Sequence, residues 1–453
     1  MKLALLIILS ILNLNALTIS EYIDLTLKQS NKSQNLNDNL INAKLNIASA
    51  KHRFEFISSP ISSVNFNSNS NTQSIGIEGS QKNIYGGESY GVISTSRNDY
   101  SNGGDTYSSD ATIGYRQSLF GKFGQEYNTY ELIYAKEYLN LTKLKNRDDK
   151  ALLIYDGVRR YYLVLLAKRR VDIQEKSLKR AKEYYNASIA KQLVGLVSKV
   201  DVHRAKLSLL NTKQALYNAE KEFKNSIHEA SYLINFDYDE KIIYESKIEK
   251  LDYDLNIKVD GKLLNKRVDW QDILVREKLL NIELSNAKKD FLPDVSLNSK
   301  YSKKGEDRNF NAKFDQEDWQ VGIFSNYSFD KFNEKTKITR LHLVKNRLKR
   351  DKESLKRLIF KEIREEKNTL INYEDSLTIQ KLKEIEAGKS LEVAKIRYER
   401  GLSSNLDIID AESEYSNSQV NYIIQLVNYN LALLNIAKSL NTLDESFIKR
   451  IFN

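Results

Sequence analysis

Four histidines are the first place to look for chemistry in this 453-residue chain, and His52, His203, His228 and His342 are scattered, none with a second ligand at metal spacing. His203 reads as a surface histidine near a turn. Cysteine is absent, which removes disulfides, thiol catalysis, thiolate zinc sites and lipidation on a cysteine. Carboxylates are plentiful, but none sits in an acid/base constellation of the kind envelope-polymer hydrolysis would need. No phosphate loop or glycine-rich dinucleotide turn occurs. The sequence therefore predicts no catalytic residue, no cofactor and no metal, and it excludes most enzyme classes. The formal charge of +10 raises the question of a nucleic-acid partner. Its bases are interleaved with acids, as in KEIREEKNTL and KRAKEYY, the pattern of a solvated helix surface, and no RNA or DNA motif accompanies them.

With no chemistry to position, the elements themselves carry the information. Only two prolines occur, Pro60 and Pro293, and the stretches between are crowded with Lys, Glu, Leu, Asn, Ala and Ile. An interior proline costs a helix about 3 kcal/mol, so its absence favours long uninterrupted helices. The N-terminus, MKLALLIILSILNLNA, has a cation at Lys2, an apolar run over 3–12 and a small residue at Ala16. It reads as a secretory signal peptide over 1–16, with an apolar run too short to anchor in a bilayer.

The chain is written twice. In each half a helical segment ends near a proline, strands follow, and then a very long helical hairpin. Pro60 and Pro293 mark the expected helix-to-strand exits, because the residue before proline is pushed out of the helical region. Ile113-Gly114-Tyr115-Arg116-Gln117-Ser118-Leu119-Phe120 corresponds to the run from Val321 to Phe329, and Val194-Gly195-Leu196 corresponds to Arg400-Gly401-Leu402. The offset, about 206 residues from Gly195 to Gly401, is that of a duplicated structural unit and not of a solenoid. The expected boundaries are 17–262 for the first repeat and 263–453 for the second.

The expected strands lie at about 62–80, 107–120, 294–304 and 317–330, and they alternate with a period of two. Trp319, Val321, Ile323, Tyr327 and Phe329 fall on one face, with Gln320, Gly322, Asn326 and Ser328 on the other and Phe324 as the exception. Val295, Leu297 and Tyr301 alternate likewise, as do Ala111, Ile113, Tyr115 and Leu119. One apolar, aromatic-bordered face and one polar face suit a lipid-exposed barrel around a wet lumen. A soluble sandwich with one wet face has the same alternation. Four strands cannot close a membrane barrel, so such a chain must share it with copies of itself. Three copies would give twelve strands and an open lumen, whereas two would give eight and a nearly filled interior. The Gly, Ser, Asn and Tyr of 79–107 read as an outward-facing loop.

Between the strand pairs, 122–194 and 331–400 run without proline, and some 70 helical residues extend roughly 100 Å. Leu152, Tyr155, Val158, Tyr162 and Leu165, and then Val420, Ile424, Val427, Leu431 and Leu434, have the spacing of packed coiled coils. The fold class expected is α+β but mostly α, a shared β-barrel continuous with a long coiled-coil barrel of helices.

These residues resemble the TolC family of outer-membrane efflux and type I secretion ducts. The resemblance runs from LTISEYIDLTLKQSN to LVNYNLALLNIAKSLNTL and is most specific at YERGLSSNLDIIDAESEYSNSQVNY (398–422) and KQLVGLVSKVDVHRAKLSLL (191–210). The proline that commonly precedes the Leu-Phe pair at the strand ends is replaced by Ser118 and, in the second half, by Tyr327 just before Ser328.

The resemblance implies a homotrimer in the outer membrane, with a twelve-stranded barrel and a twelve-helix tunnel closed at its periplasmic tip. It places Asp407 and Asp410 at paired acidic rings, and residues three apart do share a helix face. The plain reading of Asp407 is a solvated helix start near a cap. Asp201 and Tyr398 match an inter-helix latch of phenol and carboxylate. The second latch, an arginine and a threonine in the family, has Ser403 and Val200 here. Val194, Gly195, Leu196, Gly401 and Leu402 match turns gripped by a periplasmic adaptor, also called a membrane fusion protein. An inner-membrane pump of RND, ABC or MFS type would supply the energy. The competing reading is a non-channel periplasmic scaffold or adaptor, although such proteins need one helical hairpin and not two.

Overall fold

A computed structural model describes residues 16–452 except 69, 101–102, 237–243, 246–247, 253–260 and 309–312. The signal peptide expected over 1–16 thus lies outside the described residues, apart from Ala16. In chain order the elements are α1 (Ile19–Gln29), α2 (Asn31–His52), β1 (Ile57–Phe66), β2 (Ser70–Lys82), β3 (Gly87–Tyr100), β4 (Gly104–Phe120), α3 (Gln125–Asn128), α4 (Tyr130–Leu193) and α5 (Lys199–Leu233). The second half gives α6 (Gly261–Lys266), α7 (Val268–Asp290), β5 (Asp294–Asp307), β6 (Gln316–Asn326), α8 (Phe332–Glu399), α9 (Asn405–Ser439) and α10 (Glu445–Phe452). The proline-free stretches form α4, 64 residues long, and α8, 68 residues long.

Two compact units each draw on both halves of the sequence. The first (Met1–Asp38, Leu144–Val268, Lys356–Asn453) has the main core. There α1 opens with a capping box, Thr18 accepting from the Glu21 amide while the Glu21 carboxylate accepts from the Thr18 amide. Tyr22, Ile23, Val158, Tyr161, Tyr162, Leu433 and Phe447 are buried together. Their phenols do not go unpaired: Tyr22 donates to the Ala230 carbonyl at 2.8 Å and Tyr161 to the Leu17 carbonyl at 2.6 Å. Of the first expected stripe, Val158, Tyr162 and Leu165 are buried and Tyr155 is half-buried, but Leu152 is exposed. Ile154 takes its place in the core, because the burying face drifts as a helix of 3.6 residues per turn passes along its neighbours.

The second unit (Asn39–Lys143, Asp269–Leu355) contains one antiparallel sheet in the order β1-β2-β3-β4-β5-β6. Here the structure corrects the sequence reading. Six strands stand where four were expected. The segment read as one strand over 62–80 is a hairpin of β1 and β2, and the expected loop over 79–107 contains the end of β2, a tight turn and all of β3. At that turn the Asn83 side chain accepts the amides of Tyr85 and Gly87, both at 2.9 Å, and Gly86 takes a φ of 93°. Ser, Gly and Asn mark loops when a strand needs an apolar face for a water-filled protein. In this sheet one whole face is polar, so those residues sit within strands. Pro60, expected at a helix exit, lies inside β1, whereas Pro293 does precede β5 directly. β6 ends at Asn326, so Tyr327 and Phe329 belong to the connection into α8, where their rings meet edge to face.

Cross-strand register sorts the side chains. Gly79, Gly91, Ile113, Tyr301 and Trp319 form one row across five strands, and Ile77, Ile93 and Ala111 form part of the next. On this face Ile77, Ile93, Ile113, Trp319 and Val321 are 61–75% exposed. The opposite face carries Ser63, Ser74, Ser94, Asp110, Asn298 and Gln320. Exposed aromatics stand at both ends of the apolar face: Phe66 and Phe314 at one, and Phe56 and Phe120 at the other. Charge pairs gather at the hairpin tips, Arg97 with Asp105 and Lys303 with Glu317.

Candidate gate at the paired helical turns

Both long hairpins turn by the same backbone chemistry. At the first, the Gly195 amide bonds the Gln192 carbonyl and the Leu196 amide bonds that of Lys191; at the second, Gly401 bonds Tyr398 and Leu402 bonds Arg397. These are paired Schellman closures, and they need the left-handed φ of 74° at Gly195 and 73° at Gly401. Leu193, Val194, Leu196, Leu402 and Leu406 are exposed at the turns. The five residues matched to adaptor-gripped turns therefore lie at the turns themselves, and the leucines and valine present apolar surface.

Three residues beyond each glycine a serine caps the next helix. Ser198 and Ser404 each form a full capping box, with Asp201 and Asp407 at the third helical position. Asp407 accepts from the Ser404 amide at 2.8 Å, and its own amide bonds the Ser404 hydroxyl. The Ser404 amide, and after it the Ser404 hydroxyl, hold the Asp407 carboxyl below its ordinary value. The Ser198 hydroxyl and amide do the same for Asp201. Asp407 and Asp410 lie on one exposed face of α9, while Asn405 and Ile408 are buried on the other. The structure thus brings the two aspartates together as neighbours, and also gives Asp407 the capping task.

Asp201 and Tyr398 are not brought together. Tyr398 is buried with Tyr184, Leu391 and Ile408, and its hydroxyl lies 3.0 Å from the Ser188 hydroxyl. Ser188 already donates to the Tyr184 carbonyl at 2.9 Å, so Tyr398 is the donor between them. Lys191 stands over the Tyr398 ring at 3.8 Å. The Asp201 carboxylate meets Ser198, with Arg204 at 3.9 Å, and the link from Asp201 to the second hairpin runs through its backbone, where Asn405 donates to the carbonyl at 2.8 Å. Val200 is exposed, and the Ser403 hydroxyl bonds the neighbouring Ser404 carbonyl at 3.4 Å.

A contact the sequence reading missed joins the hairpins farther from the turns. Arg180 of α4 grips Glu412 of α9 with two bonds, Nε at 2.7 Å and Nη2 at 2.6 Å, and Ser177 adds a third at 3.0 Å. The Glu412 side chain is 9% exposed and that of Arg180 25%. The signal was available: Glu412 follows the buried Ile408 by four residues, so it stands on the buried stripe, and a carboxylate there must be paired.

Among the described residues no cluster of His, Cys, Asp or Glu is arranged to hold a metal ion, and no helix is long and apolar enough to cross a membrane. The turns thus combine capped carboxylates, exposed apolar side chains and polar contacts between the two hairpins.

Comparison with known proteins agrees. The family model described as outer membrane efflux protein matches residues 89–228 and 262–442. The solved channel CusC is 14% identical with a TM-score of 0.73, the alignment covering 94% of this chain and 92% of that one. The CmeC outer membrane channel of Campylobacter jejuni is 17% identical with a TM-score of 0.70, covering 95% and 88%. VceC, an outer membrane protein of Vibrio cholerae, is 14% identical with a TM-score of 0.70, covering 93% and 96%. No curated protein matches in sequence at a significant level. With both turns and most of both halves inside the matched segments, the chain belongs to the outer membrane efflux protein family, channels of the outer membrane that extend into the periplasm.

Proposed function

We propose that three copies of this chain form one passive exit duct, with a shared β-barrel in the lipid and a helical tunnel that is held shut at the paired turns. The observation that carries this reading is the exposed apolar face, bordered by aromatics at both ends, on a sheet whose β1 and β6 have no further partner strand among the described residues. Aromatic borders are what the two membrane interfaces select. Hydrocarbon cannot satisfy the backbone of an open edge, so further copies must close the wall. Three is the number the family resemblance implies.

At the tip, three copies would place six carboxylates from Asp407 and Asp410 around a narrow axis and favour cations. Closure would rest on Arg180 with Glu412 and on Tyr398 with Ser188, in place of the family's latches. Val194, Gly195, Leu196, Gly401 and Leu402 would receive a periplasmic adaptor, which recruits an inner-membrane pump of RND, ABC or MFS type. A scaffold without a channel is disfavoured by the family membership and by the apolar sheet face. The test is photo-cross-linking in cells from Leu196 and Leu402. An adaptor captured from both turns is the expected result; normal export with no periplasmic protein captured from either would contradict the adaptor role.

A further inference from the structure

The geometry points to an assembled wall of eighteen strands, each copy contributing all six and pairing its β1 with the β6 of the next copy. This rests on the three-copy reading above, and it replaces the twelve strands that four per chain would give.

The first argument is where the extra strands are inserted. β1 follows α2 and β4 leads toward α3, just as β5 follows α7 and β6 leads toward α8. The β2 and β3 hairpin lies between β1 and β4, paired to both, so the strand entering from α2 is pushed two places outward and stays at the edge. β2 is paired along its whole length to β3, and Ile75 and Ile77 continue the exposed apolar face that Ile93 and Ile113 carry. The added hairpin is therefore part of the lipid-facing surface. So is β1, through Val64 and Phe66, which are 58% and 76% exposed.

The second argument is the phase of the edge. The Asn67 amide bonds the Ser70 carbonyl across the β1–β2 turn. Antiparallel pairs alternate, so the odd-numbered residues of β1 bond to β2 and the even-numbered ones turn both backbone groups to the free edge. Pro60 falls in the second set, and its missing N–H therefore costs β2 nothing. Ser58, Ser62, Val64 and Phe66 keep both groups and face an unfilled place. β6, 11 residues against the 10 of β1, runs the opposite way and is the other free edge. Its Trp319, Val321 and Ile323 bring the same apolar face up to that edge. A second copy supplies the antiparallel strand that each edge lacks, and the contact repeats head to tail until the ring closes. At a strand spacing of about 4.8 Å and a tilt of about 40°, eighteen strands give a backbone diameter of about 36 Å, against about 24 Å for twelve.

The absence of native cysteine makes the test clean. Ser63 and Gln320 are on the polar face of the two edge strands, and Ser96 is on the same face of β3. The double variant Ser63→Cys with Gln320→Cys, treated in membranes with short thiol cross-linkers, is expected to give covalent dimers and trimers. Ser96→Cys with Gln320→Cys, which reports a wall closed by β3 with the first hairpin displaced, is expected to give none. The mass of the detergent-extracted assembly is measured in parallel. A three-chain mass with links from Ser96 but not from Ser63, or with no β1-to-β6 link when Ser59→Cys and Ile61→Cys are also tried, overturns the eighteen-strand wall and leaves the three-copy duct standing. A one-chain mass overturns the duct itself.

Discussion

Asp201 and Asp407 occupy the same place in the two repeats, each closing a capping box on the serine three residues before it. The equivalence separates two roles that would otherwise be confounded in Asp407, since Asp201 caps a helix without belonging to the acidic pair. Replacing Asp407 together with Asp410 by alanine is expected to raise resting conductance in planar bilayers and to lower cation preference. Asp201→Ala removes an equivalent cap, and it is expected to leave cation preference unchanged. Equal loss of selectivity in both would remove the aspartates of α9 from the constriction.

The fork from Arg180 to Glu412 is the most buried charged contact between the two hairpins described here. Removing one partner strands the other, at a cost of about 3–5 kcal/mol for a well-buried pair. Glu412→Ala is expected to lower the melting temperature and to open the duct at rest. Replacing both residues by methionine is expected to recover most of the stability, as read in a double-mutant cycle.

Tyr398 offers a second cycle. If its hydroxyl works through Ser188, Tyr398→Phe and Ser188→Ala will each cost about 0.5–1.5 kcal/mol and will not add. Coupling of Tyr398 with Asp201 instead would restore the latch that the family resemblance implies.

The depressed carboxyl of Asp201 sets a pH window. A group whose folded pKa is lowered stabilises the fold above its unfolded value, ordinarily about 3.9, and loses that contribution as pH falls through the lower folded value. Amide protection over the first turn of α5 is therefore expected to be flat from pH 7 to pH 5 and to fall only below about pH 4. Hydrogen exchange at Asp201 and Val202, whose amides bond Ser198, measures it, and loss near pH 6 would contradict the assignment.

Neighbouring residues of β6 test which face meets lipid. Val321→Arg places a charge in the apolar band and is expected to cost about 2–4 kcal/mol in folding into bilayers, whereas Gln320→Arg, on the polar face, costs little. The reverse order would turn the sheet inside out.

The sequence carried the helices well, because long proline-free stretches and repeated turn chemistry are local signals. Gly195 and Gly401, with the serine and aspartate that follow each, mark the turns before any coordinates are known. It carried the sheet poorly. β3, GESYGVISTSRNDY, offers little on its apolar face beyond Ile93, since glycine and threonine occupy the flanking places. Composition alone makes such a strand a loop, and only its pairing to β2 and β4 reveals it. Glu412 was missed for a different reason: its partner lies 232 residues away, on the other repeat. Tyr398 shows the limit of resemblance, for the residue type is present while the bond it makes is its own.

The most direct measurement is the mass of the processed protein after membrane extraction. Three chains in one complex, requiring detergent to stay in solution, are what the account predicts; a single chain that remains soluble without detergent would contradict it.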